Sequence, residues 1–424
     1  MKKILIYIIF YLPFVVAAQQ SLRLDTCLIM AERNYPLLNK AELLHQTEEL
    51  NNKISSISYY PSLKLNAQFN WQTEVTHIDI DNPMFAGFFP DISKDQYKIF
   101  AEFSQTIWDG GLVSAKKELE RAAVIAGLSQ IEAEIFAHKE KLVSIYFGAL
   151  SMQKQLEILE MKSDQLQNVI SDLVVAKSNN IVMQSQIDVL LAEKMILEQN
   201  ITELEYEIVY FVKLLSVYCG TEFDRNITFL TPTPEITPGK EVRRPELSYF
   251  ESQKQQIMAG QSIIYTSRMP KVFAFAQAGY GRPGLNMLSN DFEPFAIVGA
   301  KLVWTPWEWN KSKYEIQLLE VKSLLIENAQ DNYMLHQNAL LEAQLQKIEK
   351  IKRLSENDQE LLELRESITK AYLIQMNEGV LKSSDYLNAL NDENAQRLTI
   401  ELHQLMMAEA VVKYNLIKGE IYGE

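Results

Sequence analysis

Few residues in this 424-residue chain stand at spacings that could do chemistry. Gly279-Tyr280-Gly281-Arg282-Pro283-Gly284 fits the G-x-G-x-x-G pattern of a dinucleotide-binding turn. Such a site needs a helix opening directly after the turn, because its N-terminus holds the pyrophosphate. Pro283 and the loop that follows provide none, so a flexible loop is the better account. His77, Asp79 and Asp81 carry metal-binding groups, but an alternating loop segment fixes no coordination geometry. His45, His77, His138, His336 and His403 include no pair at i+3 or i+4, so no helix-borne metal site is expected. His138 falls on a helix seam and reads as a packing or register residue. Neither a nucleophile elbow nor an acid–base pair stands in a recognisable frame. No enzyme, no metal and no cofactor is therefore expected. Cys27 and Cys219, the two cysteines, are too few for a disulfide-built scaffold or a thiolate zinc cluster. They fall in expected helices or at their ends, and two buried free thiols are preferred to a disulfide.

The chemistry thus lies in the architecture. The composition, 47% hydrophobic and 23% charged, is that of a folded protein. A net charge of −14 argues against a nucleic-acid partner, which needs clustered Lys and Arg. Lys2-Lys3, the apolar stretch Ile4 to Val16 and the small residues Ala17-Ala18 have the layout of a secretory signal peptide spanning 1–18. No lipid-attachment cysteine sits at the cleavage point. No other segment is apolar and long enough to cross a bilayer as a helix, so any membrane contact must use strands.

The chain is written twice. Pro36 and Pro61 recur as Pro245 and Pro270, each 209 positions on, and Trp108-Asp109 recurs as Trp307-Glu308, 199 positions on. The expected division is a first repeat over 19–218, an irregular Thr/Pro-rich linker over 219–242, and a second repeat over 243–424. Within each repeat a helix precedes two strands. Leu63, Leu65, Ala67, Phe69 and Trp71 alternate with Lys64, Asn66, Gln68 and Asn70, the period of a strand between unlike environments. Strands are expected at about 62–76 and 96–107, then 271–281 and 294–304, with the second pair less cleanly alternating. Helical hairpins are expected over about 111–218 and 310–418. From Leu128 to Leu173 apolar residues recur in steps of three and four, a heptad rhythm that implies coiled-coil packing. The hairpins break near Ser178-Asn179-Asn180 and Asn377-Glu378-Gly379.

Two hairpins give four strands, which leave two bare edges, and bare edges cannot exist in hydrocarbon. The sheet must close with other copies: eight strands would nearly fill, twelve would leave a pore. The fold class is mainly α with a membrane β-barrel portion, built from two helix–β-hairpin–long helical hairpin repeats.

This order and doubling, with Asn34-Tyr35-Pro36-Leu37 at the start and Trp108-Asp109-Gly110-Gly111 after the second strand, resembles the TolC family of outer-membrane efflux ducts over essentially the whole mature chain. The resemblance implies a homotrimer with a twelve-stranded barrel in the outer membrane and a helical tunnel through the periplasm. It also implies docking onto a periplasmic adaptor and an inner-membrane pump, of the RND class in preference to the ABC class. A duct serving type I protein secretion is a close variant. A periplasmic coiled-coil adaptor or scaffold is the rival of another kind, against which the strand-like Leu63–Val75 run speaks.

In the family, carboxylates just past the last helical turn ring the tunnel entrance. The matching positions here are Asp385 and Asn388, the second standing where some members carry an aspartate. Gln186 and Asp188 are the first-half counterparts. A ring of three carboxylates would favour cations; the plainer reading is a solvated helix residue near a turn. Gly379 supplies the left-handed backbone of that turn. Trp108, Trp304, Trp307 and Trp309 sit where strands meet helices, and an interfacial aromatic belt on the periplasmic side is preferred to ordinary packing.

Overall fold

The computed structural model describes residues 21–75, 92–178, 182–237, 239 and 241–423. The expected signal peptide, the His77, Asp79 and Asp81 loop, and Asn179-Asn180 lie outside the described residues. In chain order the elements are β1 (Ser21–Leu22), α1 (Leu24–Asn34), α2 (Leu37–Ile57), β2 (Ser62–Trp71), β3 (Asp95–Trp108), α3 (Leu112–Ser178) and α4 (Gln184–Cys219). There follow β4 (Thr228–Phe229), α5 (Pro245–Ser267), β5 (Lys271–Arg282), β6 (Glu293–Val303), α6 (Lys311–Leu354), α7 (Asp358–Asn377) and α8 (Ser383–Lys418). They group into two compact units.

One unit comprises Asn39–Glu132 and Glu246–Tyr333 and holds the sheet. Its strands are antiparallel in the order β2-β3-β5-β6, so β3 and β5 join the two halves of the chain. Leu63 faces Phe103, Ala67 faces Ile99 and Phe69 faces Tyr97, which carries the apolar side of β2 onto β3. The same side continues through Ala276, Ala278 and Tyr280 to Val298 and Ala296. On β6 the apolar-side residues 294–300 are exposed while their odd-numbered neighbours are half-buried. The sheet therefore curves, with the apolar side convex and open.

The concave side bears Lys98, Glu102 and Gln277, whose amide donates to Glu102 at 2.9 Å. It also bears Phe100, Phe273, Phe275, Phe295 and Ile297, which is why the second hairpin alternates poorly. Glycines admit these rings: a Cβ on Gly299 would lie 2.9 Å from the Phe275 ring, and one on Gly279 only 2.4 Å from Phe100 Cβ. β2 stops at Trp71, short of the expected 76, because its partner starts at Asp95. Beyond that pair, Gln72 N–H still donates to the Lys94 carbonyl at 2.9 Å.

The other unit comprises residues up to Leu38, Ala133–Pro245 and Met334–Glu424. The heptad positions of α3 that fall in it, from Ile135 to Leu173, are all buried or half-buried. Leu142, Ala149 and Leu150 pack with Leu28 of α1, Leu215 of α4 and Val412 of α8 in one cluster. Tyr146 is buried among them, its hydroxyl 2.8 Å from the Leu22 carbonyl and 2.7 Å from that of Leu230, which pins β1 beside β4. Burial pushes its phenol above the ordinary range.

The second hairpin departs from an uninterrupted helix. Ser355–Asn357 form one 3-10 turn between α6 and α7. Ser355, Asn357 and Asp358 are weak helix formers whose side chains compete for backbone groups. Ser355 Oγ donates to the Lys352 carbonyl at 3.0 Å, and Gln396 Nε2 of α8 donates to the Asp358 carbonyl at 3.2 Å.

Candidate functional site

The first candidate region is the convex face of the sheet and its two ends. Regular pairing would send Trp108 to the concave side, since Tyr97, Ile99, Ala101 and Phe103 already define the convex parity on β3. A bulge between Thr106 and Trp108 shifts that parity, so Trp108 pairs with Val272, which in turn pairs with Leu302. Trp304 follows one step beyond β6 and donates its indole N–H to the Arg268 carbonyl at 3.1 Å. Trp307 and Trp309 meet edge to face at 5.7 Å, 70% and 81% exposed.

The strand-to-helix turns explain this placement. In the first half Asp109 is buried and caps α3: it accepts from Gly111 N–H at 2.9 Å and Val113 N–H at 2.7 Å. Gly110 and Gly111 supply left-handed backbone at φ 76° and 89°. In the second half Glu308 stands at the Asp109 position and accepts from Ser312 Oγ. Here Trp309 and Asn310 occupy the glycine positions and keep the left-handed backbone, at φ 51° and 62°. A tryptophan is thus held there against about 1–2 kcal/mol of strain with its ring in the open.

The opposite end of the sheet carries aromatics that the sequence reading did not single out as a group. Phe69 and Tyr97 rings lie 5.1 Å apart, and Tyr280 stacks on Phe292 at 5.8 Å. Arg282 lies 5.4 Å from the Tyr97 ring and 5.2 Å from that of Phe292, and pairs with Asp95. Only the register, with Tyr97 between Phe69 and Arg282, assembles this cluster. Tyr97 and Trp108 stand eleven residues apart on β3, about 37 Å at ~3.4 Å per residue. A tilt of roughly 35–45° turns that into about 26–30 Å, close to the ~25 Å apolar band of outer-membrane barrels.

The second region is the pair of helical turns in the other unit. Gly379 adopts φ 76°, and Val380 N–H closes the turn on the Gln375 carbonyl at 2.9 Å. Asp385 is the third residue of α8 and Gln186 the third of α4, so the structure gives them equivalent positions. The extended residues before those helices, Lys382 and Met183, have nearly the same backbone angles. Gln186 Oε1 accepts from Met183 N–H at 3.2 Å and is thereby engaged in capping. Asp188 is exposed and accepts from Gln184 Nε2 at 2.7 Å; Asn388 is exposed. Ile187 and Tyr386, the neighbours of Gln186 and Asp385, share one buried cluster with Met376 and Leu390, so the two turns sit together. Burial pushes the Tyr386 phenol up to about 12, with the Glu393 carboxylate adding to it.

Charged pairs that sequence spacing did not disclose lock α7 to α8. Arg397 of α8 pairs with Glu366 of α7 and Arg365 of α7 with Asp392 of α8, while Arg397 also meets Glu393 on its own helix at 3.0 Å. His403 Nδ1 lies 2.6 Å from Asp358 Oδ2 beside the 3-10 turn. The i,i+4 spacing of Glu393 and Arg397 was available from sequence; the cross-helix partners needed the register.

Residues 279–284 lie at the end of β5 and in the turn after it, where no helix opens. Among the described residues no helix is long and apolar enough to cross a membrane.

No protein-family model matches the chain, and no curated protein matches it in sequence. Its fold is nevertheless similar to that of solved membrane proteins. A membrane protein from Pseudomonas aeruginosa superposes with a TM-score of 0.68 at 13% identity, over 94% of this chain and 90% of that one. The outer membrane protein VceC from Vibrio cholerae gives 0.64 at 12% identity, over 94% and 96%. The CmeC outer membrane channel from Campylobacter jejuni gives 0.62 at 13% identity, over 95% and 87%.

Proposed function

From the fold of the TolC-family outer-membrane channels, which this chain has, we propose that it is one subunit of a homotrimeric, passive duct in the outer membrane. The observation that carries the reading is the curved sheet, whose convex face is apolar between two aromatic levels at hydrocarbon spacing. β2 and β6 form the sheet's edges. In lipid each unpaired backbone group costs several kcal/mol, so those edges pair with other copies. Three copies make a twelve-stranded barrel with a lumen, whereas two would make eight strands and nearly fill it.

The long helices then extend into the periplasm as a tunnel. Three Asp385 carboxylates near its turns favour cations at the entrance, and Gly379 shapes that turn. The four tryptophans Trp108, Trp304, Trp307 and Trp309 mark the periplasmic membrane surface. A periplasmic adaptor and an inner-membrane pump of the RND class deliver small molecules and supply the energy.

The test is reconstitution of the detergent-purified protein in planar bilayers. Discrete conductance steps from a particle of three chains are expected, with cation preference reduced by Asp385→Asn. A stable single chain that never conducts would sink the reading.

A further inference from the structure

Cys27 and Cys219 are 192 positions apart in sequence yet meet in the core of one unit. Cys27 lies in α1 and Cys219 ends α4; they are 0% and 4% exposed. Their Sγ atoms are 3.5 Å apart, and Cys219 Sγ lies 3.6 Å from the Cys27 carbonyl. Leu24, Leu28, Ala31 and Leu215 surround them in the same buried cluster, so each thiol has the other as its polar neighbour. In the structure both are free thiols, in contact with each other.

We propose that Cys27 and Cys219 are joined by a disulfide in the mature protein. The inference rests on the reading that the chain is exported across the inner membrane, since the compartment beyond it is oxidising. Two thiols lose two protons and two electrons as the S–S bond forms. The electrons go to the disulfide of a thiol–disulfide oxidase, which leaves as a dithiol. One of the two thiolates attacks the oxidase disulfide, and the other then displaces the oxidase from the mixed disulfide.

Because both sulfurs are shut inside the cluster, the exchange accompanies folding, before α1 docks on α4. Afterwards reductants have no path to the bond, which makes it a structural cross-link and not a switch. Its use follows from α1. Eleven residues are too few for a helix to persist alone. The cross-link holds α1 against the end of α4, next to the β1–β4 pair.

The test uses the full-length protein taken from the membranes of its host, denatured and treated with a maleimide-linked polymer. The expected result is no adduct before reduction, two after it, and an intact mass lighter than the dithiol by two hydrogens. A mixed disulfide with a small thiol would be heavier and would overturn the proposal. So would two adducts before reduction. Reductant added during refolding should lower the melting temperature of the wild type and leave the double variant Cys27→Ser/Cys219→Ser unmoved; equal shifts in both would count against the bond. Fractionation separates the two readings. Protein in the outer membrane with both thiols free overturns the disulfide alone, while protein confined to the cytoplasm overturns export as well.

Discussion

Trp108 stands opposite Val272 because the bulge after Thr106 brings it onto the convex side of the sheet. That side also carries Val298, 84% exposed and level with Phe103 and Ala276, about midway between the two aromatic ends. In the proposed barrel a lysine there would face the hydrocarbon midplane. Val298→Lys should destabilise the folded, membrane-inserted form by about 2–4 kcal/mol. Ile297→Lys, one residue away on the concave side, should cost far less. Folding titrations into lipid vesicles read both, and equal losses would mean that the convex face does not meet lipid.

Tyr59 donates to Asp109 Oδ1 at 2.7 Å, which ties the end of α2 to the cap of α3. Burial opposes ionisation of Asp109, but the Tyr59 hydroxyl and the Val113 and Gly111 N–H groups outweigh it and hold the carboxyl below its usual range. A depressed carboxylate contributes stability that is complete above the unfolded value near ~3.9 and lost as pH falls through the lower folded value. Asp109→Ala should cost about 1–2 kcal/mol at neutral pH and flatten the acid limb of the stability profile. Denaturant melts at several pH values check both.

Trp309 repeats the Gly110 position but is not glycine. Removing an ordinary packed tryptophan costs about 3–5 kcal/mol. Trp309→Gly should change stability in detergent by no more than about 1 kcal/mol, because relief of backbone strain offsets the lost contacts with Trp307. Its expected defect is in retention by lipid vesicles, measured by flotation. A large loss in detergent with normal flotation would assign the ring to packing.

His138 stacks on Tyr35 at 4.3 Å and meets Tyr218 edge-on at 5.0 Å, while Lys141 lies over the Tyr218 ring. Burial, and then Lys141, push its pKa down, so the folded state prefers the neutral ring. The stability this gives is complete above the unfolded value of about 6.5 and is lost as pH falls below it. The melting temperature of the wild type should fall more steeply than that of His138→Phe as pH drops from neutral into this range. Parallel curves would show that the ring does not titrate in the fold.

The local character of each element was legible in the chain. Period-two alternation at Leu63 to Trp71 and the three-and-four steps from Leu128 to Leu173 are properties of neighbours, and backbone geometry turns them directly into a strand and a helix. Gly379 with its positive φ belongs to the same class, since glycine adopts that backbone without strain. The weaker alternation after Pro270 had a cause that alternation alone does not reveal, namely Phe275 lying over Gly299 across a strand boundary. The 3-10 turn at Ser355–Asn357 left no mark in the apolar rhythm.

Sequence by itself determined the type and order of the strands and long helices, because those depend on contacts a few residues apart, while an end such as that of β2 was set by its partner. Only the tertiary structure decided which residues share a face, an end or a core. The bulge sets the side of Trp108, cross-strand register gathers Phe69, Tyr97 and Arg282, and helix packing brings Cys27 against Cys219. Each of those outcomes joins positions tens to hundreds of residues apart, where the pairing depends on how whole elements dock and a shift of one residue would reverse it.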